Sequence, residues 1–87
     1  MTNLESKLEE LGYKYLDSSS WGITYYKYCY DQQRIKIRVS HDYSTINKAV
    51  VDCVEVECKW DIYYLKKAIR IKNRNLKVLK KYANIKI

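Results

Sequence analysis

Basic side chains recur at helical spacing near the end of this chain. Five of them follow one another at intervals of three or four residues: Lys66, Arg70, Arg74, Lys77 and Lys81. On a helix this spacing aligns them along one face about 22 Å long, with Lys67 at its margin. Duplex DNA carries one phosphate charge per about 1.7 Å of its axis, so such a face could neutralise several phosphates. The pattern predicts a surface that binds nucleic-acid phosphates.

The distribution of charge supports this prediction. Residues 61–87 hold 9 basic side chains and 1 acidic one, a net charge of +8. Residues 1–60 hold the other 8 basic and 9 acidic side chains, a net charge of −1, and the two parts sum to +7. A face that is merely solvated usually mixes both signs, whereas no acidic residue follows Asp61. The asymmetry therefore indicates an anionic partner.

Tyrosines form a second group that could contact a ligand. Tyr26, Tyr28 and Tyr30 alternate along a segment with strand-forming composition, so they share the side away from Ile23 and Cys29. Three rings in a row can stack on bases or anchor a protein partner. They can equally pack on neighbouring strands and cover a sheet face. The sequence leaves these alternatives open.

Residue types for catalysis or metal binding are few. The chain has three cysteines, Cys29, Cys53 and Cys58, and one histidine, His41. The cysteine spacing lacks a Cys-x-x-Cys pair, and four soft ligands cannot be assembled, so we expect neither a structural metal nor a cofactor. A Cys–His pair would need a thiol within about 3 Å of His41, whereas cysteines on strands usually pack as small hydrophobic residues. We therefore expect no enzyme.

Hydrophobic periodicity predicts the elements that carry these groups. Leu4, Leu8 and Leu11 recur at helical spacing before Gly12, a residue that suits a helix C-terminus. Runs with strand-like composition or alternation follow, and then an amphipathic basic segment that starts at Asp61. The predicted elements are a helix over about 3–11, strands over about 21–30, 34–40 and 49–60, and a helix over about 61–83. Residues 73–75 suit a helix interior poorly and mark either a kink or a break.

The second and third predicted strands carry opposite charges. Three basic residues alternate with apolar ones in the second strand: Arg34, Lys36 and Arg38. If the third strand pairs with it antiparallel, these cations share a solvent-facing side with Glu55 and Glu57, and the charges largely cancel. This surface then has little excess charge with which to bind a polyanion. Asp52 breaks the alternation of the third strand and predicts a β-bulge or a strand start.

A chain of 87 residues allows one small domain. The predicted order is α-β-β-β-α, an α+β fold with both helices packed on one face of an antiparallel sheet. The sheet has three strands, or four if residues 13–16 add an edge strand, and residues 84–87 either fray or add another. The element order is similar to that of double-stranded-RNA-binding domains, whose basic second helix contacts phosphates. The likeness is one of topology, since the characteristic loop between the first two strands is missing and Lys66-Lys67-Ala68 matches a mere fragment of the helix start.

The leading expectation is a non-enzymatic binding module whose C-terminal helix contacts the phosphates of RNA or DNA, with the tyrosines as stacking residues. The alternative is a small inhibitor or adaptor, such as a phage-type antagonist of a host enzyme, that binds an acidic protein surface. An enzyme that uses a cysteine is a weaker third reading. No secretory signal is evident and the cysteine number is odd, which predicts a cytoplasmic protein with reduced thiols. We expect no membrane partner, because the apolar face of the last helix is needed for the core.

Overall fold

Two helices and a five-stranded mixed sheet make up the part of the chain that the computed structural model describes, residues 3–30, 33–40, 49–58 and 62–86. The elements in chain order are α1 (Asn3–Glu10), β1 (Lys14–Ser19), β2 (Gly22–Tyr30), β3 (Gln33–Ser40), β4 (Ala49–Glu57), α2 (Ile62–Leu79) and β5 (Ala83–Ile85). The strands lie side by side in the order β1-β2-β3-β4-β5. Strands β1 to β4 are antiparallel neighbours, and β5 pairs parallel with β4. Helix α2 therefore forms the crossover between two parallel strands.

The predicted α+β class is confirmed, whereas the predicted strand number and element order are wrong. An edge strand precedes β2, as residues 13–16 allowed, and a further strand follows α2. Helix α2 ends at Leu79 and not near residue 83, because residues 83–85 pair with β4 instead of extending the helix. The order is thus α-β-β-β-β-α-β, which differs from that of double-stranded-RNA-binding domains.

Helix α1 ends as Gly12 predicts. Gly12 has a φ of 95°, its N–H donates to the carbonyl of Glu9, and the N–H of Tyr13 donates to the carbonyl of Leu8. These two bonds form a Schellman motif, in which a left-handed glycine satisfies the last carbonyls of a helix. The motif turns the chain from α1 into β1. The sequence Thr2-Asn3-Leu4-Glu5 fits a capping box at the start of α1, but Thr2 lies outside the described residues.

Lys27 also stabilises this end of α1. Its Nζ donates to the carbonyl of Leu11 at 2.7 Å and lies 5.8 Å from the ring centroid of Tyr13. A cation at the carbonyl end of a helix interacts favourably with the helix dipole. Strand β2 is thereby joined to α1 by a charge-assisted hydrogen bond.

The hydrophobic core lies between the two helices and one face of the sheet. We call this face the helix-covered face, and Tyr25, Ile35, Ile37 and Val51 lie on it. Both helices pack on it, as predicted, and they contribute Leu4, Leu8, Ala68 and Leu79. Strand alternation sends the intervening residues of β2 and β3 to the opposite side, which we call the open face. No helix among the described residues packs on the open face.

Helix α2 runs without interruption through residues 73–75, where the sequence allowed a break. Asn75 lies on the buried side of the helix and is 5% exposed. Its Oδ1 accepts a hydrogen bond of 2.7 Å from the hydroxyl of Tyr13, which is 2% exposed. Asn75 is a poor helix former, but its side chain binds Tyr13, which lies between α1 and β1. This bond fixes α2 against the N-terminal part of the chain.

Candidate nucleic-acid interface

The cations that the sequence predicts to align do lie together on the solvent side of α2. The buried side of the helix is marked by Ala68, Asn75 and Leu79, which point towards the core. About 180° around the helix lie four exposed basic residues, and a fifth follows in the turn after the helix. We call this set the basic face: Lys66, Arg70, Arg74, Lys77 and Lys81.

The five side chains of the basic face form no ion pair within the described part of the chain. The ion pairs there join Lys7 to Glu10 on α1 and join cations of β3 to carboxylates of β4. From Lys66 to Lys77 the basic face extends about 17 Å along the helix axis. It is therefore a continuous row of positive charges that no described carboxylate neutralises.

Lys67 lies where the sequence predicts, whereas Lys81 differs from its predicted position. Lys67 is half-buried at the margin of the basic face, and its Nζ lies 4.5 Å from the ring centroid of Tyr63. Lys81 lies in the turn at 80–82, after the helix has ended, and not on the helix itself. Lys80, which the sequence analysis left out, is exposed beside it. The basic face thus continues past the C-terminus of α2.

Tyr26 and Tyr28 of β2 lie on the side of the sheet opposite α2. Tyr26 pairs in register with Lys36 and Tyr28 with Arg34, so both tyrosines project from the open face, while α2 packs on the helix-covered face. Their rings are 5.7 Å apart in an edge-to-face arrangement, and Tyr28 is 58% exposed. The side chain of Tyr30 lies outside the described residues. The structure therefore does not bring these tyrosines together with the basic face.

An aromatic residue outside the predicted set of site residues does lie beside the cations. Tyr63 is 56% exposed in the first turn of α2, next to Ile62, which is 71% exposed. Tyr63 precedes Arg70 by seven residues and Arg74 by eleven, which places it within about 20° of both around the helix. The same periodicity that aligned the cations could have identified it.

Two of the three cations of β3 on the open face are paired, which agrees in part with the charge cancellation predicted for β3 and β4. Lys36 lies opposite Glu55 in register, and neither side chain forms an ion pair with a described residue. Arg34 Nε donates to Glu57 at 2.8 Å, and Arg38 donates two hydrogen bonds to Asp52, at 2.9 and 3.2 Å. These hydrogen bonds raise the pKa of both arginines above the ordinary value. Asp52 is the extra residue of a β-bulge, since Arg38 pairs in register with Cys53 and Val39 with Val51. The predicted bulge therefore aims the carboxylate that Arg38 binds.

The three cysteines lie on or directly after strands β2 and β4. All three are half-buried and none forms a disulfide. Burial raises the pKa of Cys29, an effect that the charge of Lys27 partly offsets, and a raised pKa lowers the fraction of reactive thiolate. Cys53 Sγ lies 3.8 Å from a carboxylate oxygen of Glu55. His41 lies outside the described residues.

Neither a metal site nor a membrane span is found in the described ranges. There, no group of three or more His, Cys, Asp or Glu side chains could hold a metal ion. No described helix is both long and apolar enough to cross a membrane. Comparisons of the chain with protein-family models, with curated proteins and with solved structures give no significant match. The geometry of the chain itself therefore carries the functional argument.

Proposed function

We propose that the protein is a non-enzymatic module that binds RNA or DNA through the phosphates, with the basic face of α2 as the contact surface. The observation that carries this proposal is the row of exposed cations that form no ion pair with described carboxylates. A row of this kind gains free energy from a polyanion, because each contact releases counterions from the phosphate backbone. Lys67 and Lys80 extend the positive surface at its margins.

Contacts of this type give affinity without reading the base sequence. Lysine and arginine side chains on phosphates fix the position of a ligand but carry no sequence information. The apolar side of α2 is buried in the core, so the side of the helix that a ligand can contact is the charged one. The expected ligand is therefore defined by its charge density and not by one base sequence.

The first test is the dependence of binding on salt. With five phosphate contacts on a B-form duplex, the slope of log K against log salt is about −4.5. Between about 50 and 200 mM salt the affinity should then fall about 500-fold. Fluorescence anisotropy with a labelled duplex and a labelled single strand measures both slopes. A wild-type protein that binds neither ligand at low salt would remove the proposal.

Neutralising variants locate the contact. The double variant Arg70→Gln/Arg74→Gln should reduce the duplex slope from about −4.5 to about −2.7, because two counterion-releasing contacts are lost. The matched control is Lys14→Gln/Lys86→Gln, which removes the same charge from exposed positions outside the basic face. Equal losses of slope in the two variants would show that overall charge, and not the basic face, drives binding.

A second candidate function is the binding of an acidic protein surface, which an inhibitor or adaptor would perform. The observation that favours a protein partner is the cluster on the open face, where the Arg34 guanidinium, itself paired with Glu57, lies 5.7 Å from the ring centroid of Tyr26, next to the exposed Tyr28. Tyrosine and arginine are enriched in the hot spots of protein interfaces. In this case Tyr26→Ala/Tyr28→Ala should cost more affinity for the partner than Arg70→Gln/Arg74→Gln. The reverse order of losses counts against this candidate.

A further inference from the structure

An exposed aromatic ring stands at one end of the basic face. Tyr63 is 56% exposed, lies in line with Arg70 and Arg74 around α2, and precedes Arg70 by about 10 Å along the axis. Of the other exposed tyrosines in the described chain, Tyr15 and Tyr28 lie on strands of the sheet. Tyr64, which is 39% exposed, lies on α2 but about 120° around the helix from Arg70. Among these exposed rings, Tyr63 is thus the one positioned to touch a ligand that is bound along the basic face.

Two neighbours hold the ring of Tyr63 in place. The Nζ of Lys67 lies 4.5 Å from its centroid, a cation–π contact, and the ring of Tyr64 meets it edge-to-face with centroids 5.3 Å apart. More than half of the residue still faces solvent. A ring that is ordered before binding loses less conformational entropy when a ligand stacks on it.

An aromatic side chain in line with phosphate-binding cations meets a base only where that base is unstacked. In a continuous duplex the flat faces of the bases are covered by neighbouring base pairs, and proteins reach only the base edges. Single strands, loops and bulges expose those faces, and aromatic side chains stack on them with little preference for the type of base.

We propose that the ligand of the basic face is a nucleic-acid single strand and that Tyr63 stacks on one of its bases. This inference rests on the proposed function, since it assigns the cations to the phosphates of the same strand. Lys67 then lies between the base that stacks on Tyr63 and the phosphates that the basic face contacts.

The test separates bases from phosphates. The two probes are an oligodeoxythymidylate of about 20 nucleotides and an abasic strand with the same number of phosphates, both in low salt. The wild-type protein should bind the base-containing strand about 5- to 150-fold more tightly, which is the contribution of one stacked base. Tyr63→Ala should abolish this difference and leave the affinity for the abasic strand unchanged. Tyr63→Trp should retain the difference, because the indole also stacks.

Tyr15→Ala is the matched control, because Tyr15 is exposed to a similar extent, 60%, and lies on strand β1. It should leave both affinities within about twofold of wild type, as for a residue outside the contact. Equal wild-type affinity for the two strands, or a Tyr63→Ala variant that keeps the preference for bases, would overturn the inference while the phosphate contact stands. Failure of the wild-type protein to bind the two strands and the duplex would instead refute the proposed function, whereas binding of the duplex alone would overturn this inference and leave the proposed function standing. Thermal unfolding of each variant confirms that the fold is intact.

Discussion

The buried hydrogen bond between Tyr13 and Asn75 allows a quantitative test of how α2 is held in place. The two residues are 62 positions apart in sequence, their side chains are joined at 2.7 Å, and both are almost fully buried. Tyr13→Phe removes the donor and leaves the Asn75 carbonyl oxygen without this partner in the interior. The lost bond and the unsatisfied oxygen together should lower the free energy of unfolding by about 2 kcal/mol. For a chain of this length that corresponds to a decrease in Tm of about 10 °C.

A double-mutant cycle distinguishes the hydrogen bond from simple packing. Asn75→Leu alone leaves the Tyr13 hydroxyl buried without its acceptor and should cost a similar free energy. In Tyr13→Phe/Asn75→Leu neither polar group is left buried, so the double variant should cost about 1 to 2 kcal/mol less than the sum of the single costs. Urea denaturation followed by circular dichroism measures all four proteins. Single costs that add to within about 0.5 kcal/mol would refute the reasoning.

Three further predictions concern pH, a glycine and a helix end. Burial raises the pKa of Tyr13 above its ordinary value near 10, so the unfolded chain releases this proton at a lower pH than the folded protein does. The free energy of unfolding should therefore fall as the pH rises above about 10. Tyr13→Phe should weaken that decrease in denaturation curves measured between pH 9 and pH 11, and an unchanged pH dependence would count against a buried, protonated hydroxyl. Gly22→Ala should lower the free energy of unfolding by about 3 kcal/mol, because φ is 153° and the added Cβ would collide with the backbone carbonyl oxygen of Val39. A variant with the wild-type midpoint in urea denaturation would contradict the collision. Lys27→Met should lower the free energy of unfolding by about 1 kcal/mol, because it removes the hydrogen bond to the Leu11 carbonyl. Amide hydrogen exchange at the end of α1 should become faster. Wild-type exchange rates there would show that the bond contributes little.

Local patterns were sufficient for most of the elements. The leucines of α1, the alternation of β3 and the amphipathic character of α2 are each visible within one segment, and the observed bounds differ by a few residues from the predicted ones. Gly12 and Asp52 also acted as predicted, at a helix end and at a bulge, because their effects depend mainly on nearby backbone geometry. The sequence allows strand β5 without requiring it, since three residues have too little pattern and form a strand only through pairing with β4.

The composition of the candidate site was predictable in part. The alignment of Lys66, Arg70 and Arg74 follows from helical periodicity alone. The separation of Tyr26 and Tyr28 from these cations does not, because alternation places them on one side of the sheet without showing which side α2 covers. In the structure that side is the open face, so the predicted cations and these two tyrosines lie on different sides of the molecule.

The amino-acid sequence by itself determined where the positive charge lies along the chain and which face of α2 carries it, since both depend on the order of residues and on the period of a helix. The tertiary structure decided what lies next to that charge. It buried Asn75 against Tyr13 and paired the arginines of β3 with carboxylates of β4. These outcomes depend on contacts between segments distant in sequence, whose geometry is set by the packing of the whole core and not by any local pattern.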